Sequence, residues 1–147
     1  MKLSKEFKNG FLMFLGIGSY FLLMEVLGLS KHYWLRIFNV LIIIFFLNKS
    51  ISSNLSEGKK GYIDNMVSAG LTGIIGIALG IVGLALYIQF RGIDDFTSRL
   101  SKEFLFGGNP TLGEYCISLL FEGLASVMMV VFITIQYWRM KNVFKDK

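Results

Sequence analysis

Side chains that bind metals or form disulfides are almost missing from this sequence. Its 147 residues include one cysteine, Cys116, and one histidine, His32. A single cysteine cannot form an intrachain disulfide, and these two residues leave no set of soft ligands for a zinc or iron site. We therefore expect the protein to bind no metal and to carry no cofactor.

The usual signatures of catalysis and nucleotide binding are missing as well. Cys116 has no histidine or acid at a recognisable spacing that would activate it as a nucleophile. The glycine-rich part of the chain lies inside a long apolar run, with no lysine placed to meet a phosphate. We therefore expect a protein without enzyme activity.

Charge is also scarce, because charged residues make up 17% of the chain and apolar residues 54%. Four long apolar segments fill most of the length, at residues 11–29, 33–51, 66–90 and 112–138. A helix rises about 1.5 Å per residue, so about 20 apolar residues cross the bilayer core. The sequence predicts an all-α, polytopic membrane protein in which residues 1–147 form one domain, a bundle of four transmembrane helices.

Two of these segments have a competing interpretation. Residues 1–30 have the basic start and apolar run of a secretory signal, but the run is long and contains Glu25, so we favour a retained span. The second segment has an unbroken apolar core only from Val40 to Leu47, which leaves a membrane-plane or re-entrant segment as the alternative. We favour a crossing, because Arg36 can extend its charge toward the membrane surface.

The lysines and arginines flank the spans unevenly. Ten of the 15 lie before the first span, between the second and third, and after the fourth, which are on one side of the membrane if all four segments cross it. The other five lie on the opposite side. By the positive-inside rule both termini face the cytoplasm. The net charge of +5 therefore suits anionic lipid headgroups, and we expect no nucleic-acid binding.

The segments between the spans carry local signals. Asp64 is placed to cap the start of the third span. Thr111 and Glu114 have the spacing of a capping box at the start of the fourth. Between these spans, apolar residues recur at three- and four-residue steps, which predicts a short helix on the membrane surface, with a docking surface for a partner as the alternative. These residues are Ile93, Phe96, Leu100 and Phe104.

Glycine is concentrated on one face of the third span. At 100° per residue its five glycines fall within about 140° of arc. They are Gly70, Gly73, Gly76, Gly80 and Gly83. Small residues let helices approach closely in lipid, so we predict that this face packs against another helix. We favour the protein's own spans over a homodimer as the partner.

Four polar side chains lie where the apolar segments are expected to be in lipid. Glu25 and Glu122 are carboxylates inside the first and fourth segments, and Arg36 and Asn39 lie near the start of the second. Such groups must be protonated, paired or in contact with water. We predict a candidate intramembrane polar site at these residues. It is either an ion pair that fixes the bundle, with Glu25 facing Arg36, or part of a proton or cation path.

The layout of the later spans resembles a known family. Residues 59–63, Lys-Lys-Gly-Tyr-Ile, lead into the glycine-rich span, and residues 87–90, Tyr-Ile-Gln-Phe, end it before an amphipathic stretch and a last span. This layout resembles a family of four-span proteins of unknown function common in Bacteroidota, over about the last two thirds of the chain. Members place an Asp-Pro pair and a longer charged helix after the third span, where this chain has Arg-Gly-Ile-Asp-Asp at residues 91–95. The resemblance implies a bacterial inner membrane and no catalytic residue.

These expectations lead to two main functional hypotheses, with a membrane-bound enzyme as a further alternative. The first is an inner-membrane helical bundle that acts through helix packing, as an accessory subunit of a larger membrane complex or as a small homo-oligomer. The second is a small transporter or channel whose membrane carboxylates lie on a proton or cation path.

Overall fold

The structure of the protein, a computed structural model, describes residues 3–29, 33–92 and 111–144. Within these ranges lie four α-helices, each long and apolar enough to cross a membrane. They are α1 (Leu3–Val26), α2 (Ile37–Ser56), α3 (Tyr62–Arg91) and α4 (Leu112–Met140), and a 3-10 turn (Tyr33–Arg36) precedes α2. The predicted all-α bundle is therefore confirmed. The predicted surface helix between the third and fourth spans lies outside the described residues.

Helices α1 and α3 run parallel to each other. Glu6 near the start of α1 contacts Ser68 near the start of α3. The ring of Phe21 near the end of α1 meets that of Tyr87 near the end of α3, with 5.6 Å between ring centroids. Helices α2 and α3 each pack against all three other helices, so both are central to the bundle.

Helices α2 and α4 run antiparallel to α3, which gives the bundle an up-down-up-down topology. The contacts that fix these directions are Asn54–Ser68 and Ser50–Thr72 for α2, and Val127–Gly73 and Gly123–Ile77 for α4. Helices α1 and α3 therefore begin at the end of the bundle where α2 and α4 finish. We call this the terminal end, and the opposite one the far end.

The apolar core is narrow and lies around α3. Fully buried side chains come from every helix, among them Met13, Leu47 and Ile135. Only 17 to 28% of the most apolar stretch of each helix is buried within the protein. Apolar side chains gain little by leaving lipid, so an outward-facing apolar surface is what a bilayer permits.

The helix limits differ from the sequence-based limits mainly at the starts. Helix α1 begins at Leu3 rather than near residue 11, so the basic first residues continue into the same helix. Asp64 was expected to cap α3 but lies in its first turn, because Gly61 occupies the capping position. The capping box of α4 is confirmed. The backbone N–H of Glu114 donates to Thr111 Oγ1 at 3.3 Å, and that of Thr111 donates to Glu114 Oε2 at 2.7 Å.

Candidate functional site

A group of polar side chains is buried at the terminal end of the bundle, where α1, α2 and α3 meet. Its five members are each no more than 4% exposed. They are Glu6 of α1, Ser50 and Asn54 of α2, and Ser68 and Thr72 of α3. We call this group the Glu6 cluster. Buried polar groups cost free energy unless they are hydrogen-bonded, so their partners determine what the cluster can do.

The carboxyl group of Glu6 is bonded through only one of its two oxygens. Oε1 accepts a hydrogen bond from Ser68 Oγ at 2.7 Å. Oε2 is buried and has no hydrogen-bond partner among the described residues. The carboxyl group thus retains an unused acceptor atom inside the bundle.

The other members of the cluster are joined in a chain of hydrogen bonds. Asn54 Nδ2 donates to Ser68 Oγ at 2.8 Å. Thr72 Oγ1 donates to the Ser68 carbonyl oxygen at 2.9 Å, and Ser50 Oγ lies 3.1 Å from Thr72 Oγ1. A hydroxyl group has one hydrogen to donate, and Thr72 has used its own, so Ser50 is the donor in that last bond.

A close approach of α1 to α3 holds Glu6 in this position. A Cβ atom added to Gly10, one turn after Glu6, would lie 2.9 Å from the Thr72 carbonyl oxygen and 2.8 Å from Ile75 Cγ2. Real Cβ atoms are not found this close to other atoms. The absence of a side chain at Gly10 therefore lets the start of α1 reach the polar part of α3.

The amino groups of two lysines at this end of the bundle, Lys5 and Lys59, lie near the carboxyl group of Glu57 rather than that of Glu6. Lys5 forms an ion pair with Glu57, whose other oxygen lies 3.9 Å from the amino group of Lys59. All three side chains are partly exposed to the surroundings of the bundle. In the described ranges, the carboxyl group of Glu6 has no lysine or arginine within 4 Å.

Two further polar contacts close the terminal end. Asn65 Nδ2 donates to the carbonyl oxygens of Lys59 and Gly61, at 2.9 and 2.8 Å, and so ties the α2–α3 connection to the first turn of α3. Trp138 Nε1 donates to Asn48 Oδ1 at 2.7 Å and joins the ends of α4 and α2.

The polar residues selected from the sequence lie toward the far end. Glu25 is half-buried near the end of α1, and Glu122 is exposed on α4. Asn39 is half-buried in α2, and its Oδ1 has no hydrogen-bond partner among the residues that the structure describes. Arg36 belongs to the 3-10 turn before α2. The phenol of Tyr20 donates to the Leu35 carbonyl oxygen at 2.8 Å, so this turn lies beside α1. The pairing of Glu25 with Arg36 stays a prediction.

The five glycines of α3 differ in their surroundings. A Cβ atom added to Gly73 would collide with Val127, one added to Gly76 would collide with Met13, and one added to Gly83 would lie 2.8 Å from the Phe14 ring. Nothing lies within 4 Å of a Cβ atom added to Gly70 or Gly80. The role of the whole glycine face in assembly stays a prediction.

Comparison with protein-family models, with curated proteins and with solved structures found no match for this chain. Its function therefore has to be inferred from its own residues. Among these, the sequence-based prediction missed Glu6, because a glutamate between Lys5 and Lys8 has the pattern of a charged, solvated helix start. The available signal was the four-residue spacing of Ser50 with Asn54 and of Ser68 with Thr72, which puts polar pairs on one face of two apolar helices.

Proposed function

We propose that this chain is a multi-pass protein of a bacterial inner membrane that acts through helix packing, as an accessory subunit or a small homo-oligomer. Four helices of spanning length support the membrane setting. The ten-to-five distribution of lysine and arginine supports cytoplasmic termini. The resemblance to four-span bacterial proteins supports the choice of membrane.

The observation that carries the assembly proposal is the position of Glu122. Its side chain is exposed on α4, together with Ala125, Met129 and Gln136. The buried residues Val127 and Val131 lie on the opposite face of the helix, whereas Tyr115, two turns before Glu122 on the same face, is also buried. The part of this face from Glu122 toward the end of α4 is therefore exposed in the described part of the chain.

Glu122 also lies at a depth where lipid is a poor solvent for a carboxyl group. It is ten residues from the start of α4, which corresponds to about 15 Å along the helix. A charged side chain at the bilayer centre costs about 2.5 to 3.5 kcal/mol on insertion scales. A second protein surface over this face of α4 would cover the exposed residues Glu122, Ala125 and Met129. We call the exposed residues Glu122, Ala125 and Met129 the α4 face.

Cysteine cross-linking in native membranes tests the proposal. After replacement of the native thiol by Cys116→Ala, we expect Ala125→Cys on the α4 face to form disulfide-linked dimers. The matched control is Ala78→Cys, which is exposed on α3, and we expect it to stay monomeric. If the partner is a different protein, Ala125→Cys will not self-link, and a fixed partner will copurify in mild detergent and be lost with Glu122→Leu.

A monomer with no cross-link at Ala125 and no copurifying protein would overturn the assembly proposal. The membrane orientation has a separate test, because reporter fusions at Lys147 and Gly58 should both report a cytoplasmic location. An external signal at Gly58 would show that α2 does not cross the membrane.

The second candidate function is a small transporter or channel, and the observation behind it is that α1 and α4 each carry a carboxylate within an apolar helix, Glu25 and Glu122. Glu25 is half-buried in α1, so its carboxyl group is neither at the surface nor deep in the core. If these carboxylates lie on a proton or cation path, liposomes with the wild-type protein should show a pH-dependent flux that Glu122→Gln abolishes. If well-folded wild-type protein shows no flux over a broad pH range, the transporter or channel function is wrong.

A further inference from the structure

The carboxyl group of Glu6 is a feature that helix packing alone does not explain. Only 2% of the residue is exposed. A buried carboxylate is costly unless a positive charge or several donors compensate it, and in membrane proteins such a group usually marks a functional site. Here a single donor, Ser68 Oγ, reaches Oε1, and no described donor reaches Oε2.

The hydroxyl groups around Glu6 are left with acceptors rather than donors. The only hydrogen of the Ser68 hydroxyl is used on Glu6, that of Thr72 on the Ser68 carbonyl oxygen, and that of Ser50 on Thr72. Each hydroxyl oxygen has two lone pairs, so Ser50 and Thr72 both keep acceptor capacity after these bonds are made. The chemical complement of a carboxylate oxygen among hydroxyl oxygens is a hard cation.

The net charge of the cluster favours a monovalent over a divalent cation. Glu6 is its one ionisable member, and the other four are neutral oxygen or nitrogen donors. The charged groups nearby, Lys5, Glu57 and Lys59, are paired with one another. One positive charge neutralises one carboxylate, whereas a divalent ion would leave a net charge in a medium of low dielectric constant.

We propose that the Glu6 cluster is a binding site for one monovalent metal cation, coordinated by Glu6 Oε2 with hydroxyl oxygens of Ser50 and Thr72. The site joins α1, α2 and α3, so the bound ion stabilises the arrangement of three helices. Glu6 and Asn54 lie close to the helix ends at the terminal end, which puts the site within reach of ions in the solution on that side. This site is independent of the α4 face and of its partner.

Thermal unfolding of the purified full-length protein in lipid nanodiscs tests the proposal, with sodium chloride or potassium chloride compared with choline chloride at equal ionic strength. We expect the melting temperature to rise with the metal salt along a saturable one-site curve. Equilibrium dialysis with radioactive sodium should find one ion per chain.

Three variants distinguish cation binding at the Glu6 cluster from effects of other charges at the same end of the bundle. Glu6→Gln keeps the acceptor for Ser68 but removes the charge, so the difference between metal and choline salts should disappear. Ser50→Ala should weaken sodium binding by roughly tenfold, because one ligand oxygen is lost. Glu57→Gln, a partly exposed carboxylate at the same end, should keep the wild-type response to sodium.

Equal melting temperatures in metal and choline salts would overturn the proposal. A melting temperature that depends on pH but not on the cation, and loses that dependence in Glu6→Gln, would also overturn it by showing that the site takes only a proton. If Glu6→Gln does not fold, Ser50→Ala and Thr72→Val decide, since unchanged sodium affinity in both would exclude coordination by these hydroxyl groups.

Discussion

The two ends of the bundle are held together by different interactions. At the terminal end, hydrogen bonds between side chains link α1 to α3, α2 to α3 and α4 to α2, as in the pairs Glu6–Ser68 and Asn48–Trp138. Toward the far end, contacts between aromatic rings contribute, such as the pair of Phe21 and Tyr87. The phenol of Tyr20 also donates to the Leu35 carbonyl oxygen there and fixes the turn before α2.

This difference matters because lipid changes what each kind of contact contributes. Moving an apolar side chain from lipid to a helix interface brings little hydrophobic gain, so close packing and hydrogen bonds between helices carry more of the association. The terminal end has both, at Gly10 and in the Glu6 cluster. We therefore expect this end to fix the order of the helices and the far end to be more tolerant of change.

The largest expected effect comes from filling the helix crossing at Gly76. Gly76→Leu places a side chain against Met13 and against the Gly10 carbonyl oxygen, which lies 3.1 Å from an added Cβ atom. We expect a loss of about 3 kcal/mol in the free energy of unfolding, because backbone atoms of α1 have to move. Reversible unfolding in mixed detergent micelles measures it.

The matched control is Gly80→Leu, one turn toward the far end of the same helix. Nothing lies within 4 Å of a Cβ atom added there, so the cost should stay below about 1 kcal/mol. Equal losses at both positions would show that the two halves of α3 are packed alike and would remove the contrast between the ends.

The next largest effect should follow removal of the hydroxyl group at the centre of the Glu6 cluster. Ser68→Ala leaves both the Glu6 carboxyl group and the Asn54 amide without their shared partner. Leaving buried polar groups unsatisfied costs about 1 to 3 kcal/mol, so we expect a loss of about 2 kcal/mol. Ser126→Ala is the control, since that hydroxyl donates only to the Glu122 carbonyl oxygen of its own helix.

For the link between α4 and α2, Trp138→Phe removes the donor to Asn48 Oδ1 and keeps most of the ring. We expect the thermal stability to fall by the equivalent of about 1 kcal/mol, the net value of one hydrogen bond. Trp34→Phe changes a ring that is 81% exposed beyond the start of α2 and should have almost no effect. A larger loss of thermal stability in Trp34→Phe than in Trp138→Phe would contradict the proposed role of the hydrogen bond between Trp138 and Asn48.

The smallest effect is expected at the far end, where α4 begins. Thr111→Ala removes the side-chain acceptor for the Glu114 N–H, keeps the backbone N–H of residue 111, and should cost about 0.5 to 1 kcal/mol within the first turn of the helix. Hydrogen exchange should become faster at Gly113 and Glu114, whereas Thr111→Ser should keep the wild-type rates. Slower exchange in Thr111→Ala would contradict the capping role.

The existence of the helices could be predicted from the sequence, but their partners could not. Long apolar runs are sufficient for four helices, and the Thr111 and Glu114 spacing is sufficient for a capping box, because both signals are local. Glu6 contacts Ser68, 62 residues away in the chain. A single sequence does not reveal such a contact, and the lysines beside Glu6 give it the appearance of a surface residue.

The distance along the chain between Glu6 and Ser68 has a consequence for biosynthesis. The ribosome delivers α1 first, and the hydroxyl group that bonds Glu6 follows only after α2 and the start of α3 have been made. Until then the carboxyl group of Glu6 lacks the hydrogen-bond donor that it has in the folded bundle. The start of the first helix therefore cannot complete its contacts before the start of α3 has been made.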